Sequence, residues 1–111
     1  MPTSDDFDVR SETTPAGAGI VYVSGELDLA SAPRLEEALA ELLADPVVVD
    51  LSECTFLDSA GMGVLLASAR KLSAEGRGLR VATANPRILR VLEITAVDTL
   101  IPVHPDVEAA L

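Results

Sequence analysis

The run PVVVDLS, residues 46 to 52, constrains the fold more than any other stretch of this chain. It is apolar and rich in valine, too short to cross a bilayer as a helix, and typical of a strand covered on both faces. Such a strand belongs in the middle of a sheet, and the rest of the chain must supply the helices that cover it.

The flanking sequence does so. IVYVSGEL, residues 20 to 27, reads as a strand that stops at Asp28, and ASAPRLEEALAELLA takes up the helical period. Leu35, Ala38, Leu39, Leu42 and Leu43 form its apolar face. Pro33 fits the first turn, where the missing N–H costs nothing, and Glu36, Glu37 and Glu41 point outward as a solvated face. After the valine strand, ECTFLD reads as a loop and Ser59 to Ala74 as a second helix. That helix is closed by Gly76 and Gly78, with Arg70 and Lys71 near its negative end. LRVATA is the next strand, Asn85-Pro86 opens a shorter helix around PRILRVLEITA, TLIPV makes a last strand and DVEAAL begins a final helix. Upstream, residues 1 to 6 are expected to fray, and Phe7 to Glu12 forms a first strand before the turn-forming TTPAGAG.

The predicted order is β-β-α-β-α-β-α-β-α. It gives an α/β domain with a mixed, mostly parallel sheet of about five strands, joined by right-handed crossovers and packed by about four helices. The first strand can only be an antiparallel edge. A chain of 111 residues with 49% apolar content supports one core, so a single domain is expected.

Composition narrows the function. Eighteen acidic against eight basic residues leave a net charge of −10, which argues against a nucleic acid or an anionic membrane as the main partner and favours a protein. No apolar segment approaches the ~20 residues needed to span a bilayer, and MPTSDDFDVR carries acids where a signal peptide has basic and apolar residues. The expected location is the cytoplasm. The single cysteine, Cys54, cannot form an internal disulfide and reads as a small core or loop residue.

In parallel sheets functional groups gather beyond the carboxyl ends of the strands. Two such loops carry notable residues: Glu26 and Asp28 in one, Asp58 and Ser59 in the other. Ser59 opens an apolar helix and is an N-cap candidate. Gly61 and Gly63 lie in the first turns of that helix, where each costs up to ~1 kcal/mol relative to alanine. Close approach of another backbone, from a neighbouring strand or a partner, would justify them. Met62, Val64, Leu65, Leu66, Ala67, Ala69 and Leu72 leave this helix almost without a polar face, so part of it is a candidate docking surface.

Catalytic readings of Ser59 lack their companions. A nucleophile elbow needs glycine where Leu57 stands, and the one histidine, His104, sits near the C-terminus as a surface or strand-end residue. Gly61-Met62-Gly63 begins like a dinucleotide fingerprint, but Leu66 replaces the third glycine. One Cys and one His without ligand spacing give no metal site, and no cofactor is expected. The remaining alternative of this class is an enzyme or small-ligand module built from Asp28, Asp50 and Asp58 around Ser59.

GELDLASAPRLEEAL, VVVDLSECTFLDSAGMGVLL and the strand-helix pattern that follows resemble the STAS domain of the bacterial anti-sigma factor antagonists, over roughly residues 18 to 108. The most specific element is Asp-Ser-Ala-Gly-Met-Gly, preceded by a strand ending Asp-Leu-Ser; Gly-Glu-Leu-Asp before the first helix supports it. The resemblance implies that Ser59 is phosphorylated by an anti-sigma factor that is itself a serine kinase, and that a phosphatase acting on phospho-Ser59 resets the cycle. The unphosphorylated form would bind the anti-sigma factor and free a sigma factor. Glu26, Asp28, Asp58, Ser59, Gly61, Met62 and Gly63 would form the partner-binding site of a protein that is monomeric when free. Relatives with other roles include domains attached to anion transporters and small subunits of lipid-transport complexes, the latter being the alternative within the family. DVEAAL ends the chain where many relatives continue for another turn.

Overall fold

The valine run lies at the centre of the sheet in the computed structural model, which describes residues 6–111. Five strands, β1 (Asp8–Thr13), β2 (Gly19–Leu27), β3 (Val47–Leu57), β4 (Leu79–Ala82) and β5 (Val103–His104), stand side by side in chain order. β1 pairs antiparallel with β2 at the edge, and every other neighbouring pair is parallel. The helices are α1 (Ala32–Glu41), α2 (Ser59–Ala74), α3 (Pro86–Ile94) and α4 (Val107–Ala110). The fraying expected of residues 1 to 6 falls, for the first five, outside the described residues.

Both faces of β3 are covered, which explains the unbroken apolar run. Val47, Val49 and Leu51 pack in one cluster with Leu35 and Leu39 of α1, Leu65 and Leu72 of α2, and Ile88 and Leu92 of α3. Val48 points the other way, into a small cluster with Ala82, Val107 and Ala110. Arg80, the register neighbour of Val48, donates to the carbonyls of Ala110 and Leu111, placing a cation at the negative end of α4.

Three expectations need correction. ECTFLD is not a loop: β3 runs on through Leu57, with Glu53, Cys54, Phe56 and Leu57 paired to Ser24, Gly25, Glu26 and Leu27. The register slips between Tyr22 and Ser24 and again between Gly25 and Glu26, each time with an extra residue on β3. These bulges turn the strand so that Leu51, Cys54 and Leu57 are buried at a spacing of three, not two, and the strand pattern disappears from the sequence.

TLIPV contributes only Val103 to a strand. Val97–Thr99 instead forms a 3-10 turn whose Val97 carbonyl receives the N–H groups of Leu100 and Ile101, and Pro102 has no N–H to offer a ladder. Leu43 is not part of the apolar face of α1 and stands 89% exposed. The helix stops at Glu41, and the Arg77 guanidinium donates to the carbonyls of Leu42 and Ala44 just beyond it. Arg77 also follows the glycine that closes α2: with Gly76 at φ 77°, Arg77 N–H bonds Leu72 O at 2.8 Å and Gly76 N–H bonds Ser73 O at 3.0 Å, the Schellman pattern.

The two glycines of α2 separate cleanly. A Cβ on Gly61 would lie 2.8 Å from both Leu27 Cγ and Leu57 Cδ1 and 3.0 Å from Leu27 O, so this glycine lets the helix start sit directly on the ends of β2 and β3. A Cβ on Gly63 would meet nothing within 4 Å. Replacing glycine by alanine inside a helix is favourable by up to ~1 kcal/mol, whereas overpacking a core costs about 1–3 kcal/mol. Thermal melts should therefore show Gly61→Ala destabilised by about 1–2 kcal/mol and Gly63→Ala unchanged or stabilised. Equal melting temperatures for the two variants would contradict this packing.

Cys54 is buried between these strands, and burial pushes its thiol above the ordinary cysteine value. The unfolded chain therefore ionises first, so the thiol's contribution to stability is present below about pH 8.5 and is lost as the pH rises beyond it. Alkylation at neutral pH should be slow for the native protein and fast in denaturant; equal rates would place Cys54 at the surface.

Candidate functional site

β2 and β3 end together, at the register pair Leu27 and Leu57, so the loops that follow them meet at one end of the sheet. The Asp58 N–H donates to Leu27 O at 3.2 Å. The Asp58 carboxylate then joins three backbone amides: Oδ1 accepts from Ala60 N at 2.9 Å and Gly61 N at 3.1 Å, and Oδ2 accepts from Leu29 N at 3.2 Å. Its backbone is extended, at φ −107° and ψ −173°, as a capping residue requires.

The N-cap of α2 is thus Asp58 and not Ser59. A carboxylate has two oxygens and can take the first-turn amides and a third donor at once, which a single hydroxyl cannot. Ser59 becomes the first residue of the helix, and it is exposed.

The opposite loop is organised by Asp28 and Ser31. Asp28 Oδ1 accepts from Ala30 N at 3.0 Å and Ser31 N at 3.1 Å, while Asp28 N donates back to Ser31 Oγ at 2.9 Å. The Ser31 hydroxyl donates to Glu26 O at 2.7 Å and is 7% exposed. With Leu29 N on Asp58, all four consecutive amides from Asp28 to Ser31 have side-chain acceptors.

The site residues expected from the sequence divide accordingly. Asp28, Asp58 and Ser59 come together, and Glu26 is exposed two residues before Asp28, paired in register with Phe56. Met62 is half-buried against the core and Gly63 is exposed, whereas Gly61 is buried beneath the helix start. Asp50 does not join the group: it lies seven residues before Leu57 on β3, on the order of 20 Å away at ~3.3 Å per residue, and it binds Ser52. His104 is paired with Ala82 on β5, in a different part of the sheet.

The arrangement offers an accessible hydroxyl beside a carboxylate that is already engaged by three N–H donors, which suits a group to be modified more than an activated nucleophile. Among the described residues, no three His, Cys, Asp or Glu side chains are placed to hold a metal ion, and no helix is long and apolar enough to cross a membrane. A shallow groove of about 170 Å³ lies between α1 and α2, lined by Leu39, Leu43, Lys71 and Arg77 among others, and does not include Ser59.

Sequence reasoning missed three residues here. Leu29 is 77% exposed and Phe56 47% exposed, and Ser31 is buried as the organiser of its loop. Only Ser31 left a signal, an Asp-x-x-Ser spacing that permits the reciprocal bonds observed.

Comparison with known proteins identifies the family. A family model described as "Mlab, STAS domain" matches residues 11–102. An anti-sigma-B factor antagonist of Staphylococcus aureus is 32% identical over 91 residues, covering 79% of this chain and 84% of that protein. An anti-sigma F factor antagonist of Paenibacillus polymyxa is 28% identical over 99 residues, 86% of this chain and 85% of that one. The crystal structure of an anti-sigma factor antagonist from Mycobacterium paratuberculosis superposes with a TM-score of 0.88 at 32% identity, covering 99% of this chain and 95% of the other. With this fold and these relatives, the chain belongs to the STAS-domain family of anti-sigma factor antagonists.

Proposed function

We propose that this protein is a cytoplasmic, non-enzymatic partner switch: unphosphorylated, it binds an anti-sigma factor that is also a serine kinase and so frees a sigma factor. Phosphorylation of Ser59 by that kinase ends the complex, and a phosphatase restores binding. The observation that carries this reading is the placement of an exposed Ser59 directly after the carboxylate that joins both loops of the site. The acidic charge of the chain, −10, accords with a protein partner and not with DNA or an anionic membrane.

The physics of release follows from the same carboxylate. A phosphate adds about −1.5 to −2 charges to residue 59. The amides of Ala60 and Gly61 already serve Asp58, so the new charge sits beside a carboxylate and not in a free cradle of N–H groups. The positive end of α2 still favours an anion by about 0.3–1 kcal/mol, enough to keep the domain folded. In a desolvated contact the same charge is costly, and each ~1.4 kcal/mol is a tenfold loss of affinity.

Incubation with ATP and candidate serine-kinase anti-sigma factors, followed by mass spectrometry, should place one phosphate on Ser59 alone. Modification of Ser52, Thr55 or Ser68 with Ser59 untouched would sink the assignment, and turnover of ATP by the protein alone would make it an enzyme. Ser59→Asp should fold normally yet bind the kinase at least about tenfold more weakly by calorimetric titration. Ser59→Ala should bind, resist release and melt within about 0.5 kcal/mol of the unmodified protein, because its hydroxyl is not the cap. Asp58→Ala should lose about 0.5–2 kcal/mol. A larger stability loss for Ser59→Ala than for Asp58→Ala would return the capping role to the serine.

A further inference from the structure

The four amides from Asp28 to Ser31 are all tied to side-chain oxygens, and the residue this network holds outward is a leucine, 77% exposed. The exposed Leu29 side chain contributes little burial to the fold, yet a carboxylate of the neighbouring loop and the buried Ser31 hydroxyl fix its backbone. Leu43, 89% exposed beyond the end of α1, has no comparable support for its own amide among the bonds described. A rigidly presented apolar side chain is what an interface contact requires, because the ordering cost is met before the partner arrives.

Its surroundings indicate the partner. Phe56, 47% exposed, lies one residue before the end of β3 at the same end of the sheet, and Ser59 begins α2 directly beyond the Asp58 carboxylate that binds Leu29 N. The acids there, Glu26, Asp28 and Asp58, take part in neither of the two ion pairs found among the described residues, Arg10 with Asp8 and Arg77 with Glu75. An apolar projection beside carboxylates that have no cationic partner complements an apolar pocket rimmed by Lys or Arg.

We infer that Leu29 is a specificity-determining contact for the same kinase partner that modifies Ser59, inserting into an apolar pocket with a basic rim, and that Asp58 is the positioning residue that holds it there. This rests on the partner-switch reading. Because Asp58 grips Leu29 and the start of α2 through one carboxylate, the anchor and the modified serine are presented in fixed register.

The probe is the kinase that phosphorylates Ser59 in the wild-type protein. Leu29→Ala should raise its Kd about ten- to a hundredfold and raise KM for Ser59 phosphorylation with kcat little changed, while the melting temperature stays at the wild-type value. Leu29→Met should recover most of the affinity, and Leu29→Lys should bind more weakly than Leu29→Ala because it meets the basic rim. Wild-type affinity for Leu29→Ala, beside a wild-type protein that is bound and phosphorylated, overturns the Leu29 assignment and leaves the partner switch standing. A wild-type protein that is neither bound nor phosphorylated by any serine-kinase anti-sigma factor overturns the partner switch and this inference with it.

Discussion

One carboxylate holds the functional end of this molecule together. Asp58 caps α2 through Oδ1 and reaches across to Leu29 through Oδ2, and its own amide is tied to Leu27 O. Two strands that end in register would otherwise release two independent loops. Because one residue satisfies donors in both, the geometry of Ser59 is coupled to that of the Asp28–Ser31 loop. Gly61 makes this possible from below: any side chain there would lift the helix start off Leu27 and Leu57 and carry the amides of Ala60 and Gly61 away from the carboxylate.

The far end of the sheet uses the opposite charge for a similar task. Arg77, immediately after the glycine that closes α2, donates to the Leu42 and Ala44 carbonyls just beyond the end of α1 and pairs with Glu75 at 2.7 Å. Asp45 completes this end by accepting from Gly78 N at 2.9 Å. α1 and α2 are therefore pinned at both ends, by a shared anion at one and a shared cation at the other, with Leu35, Leu39, Leu65 and Leu72 buried between. A fixed scaffold of this kind would let the exposed end change its charge without changing the fold.

Most of the architecture was legible because it depends on periodicity. The valine run, the helical spacing of Leu35 and Leu39, and Gly76 beyond α2 each pointed to the element that forms. Legibility failed where a distant group overrides the local pattern. The two bulges of β3 impose a spacing of three on Leu51, Cys54 and Leu57, which no strand template recognises, and the carbonyls of Leu42 and Ala44 beyond α1 are bound by Arg77, 35 and 33 positions downstream. At the site, sequence narrowed the cap to the adjacent pair Asp58 and Ser59 but not to one member, since both are good caps and the deciding donor, Leu29 N, lies on another loop.

The choice of Asp58 over Ser59 as cap has a functional logic. A serine that capped its own helix would have its hydroxyl drawn toward the first-turn amides, and phosphorylation would remove a structural bond together with the binding surface. With aspartate as the cap, Ser59 stands at the first helical position with no structural duty that modification would destroy. Fold stability and binding can then respond separately to the same charge. The helix end would favour a phosphate by about 0.3–1 kcal/mol, while a desolvated interface beside the Asp58 carboxylate would not. Separation of these two responses is the physical condition for a reversible switch, since a modification that unfolded the domain would leave nothing for a phosphatase to restore.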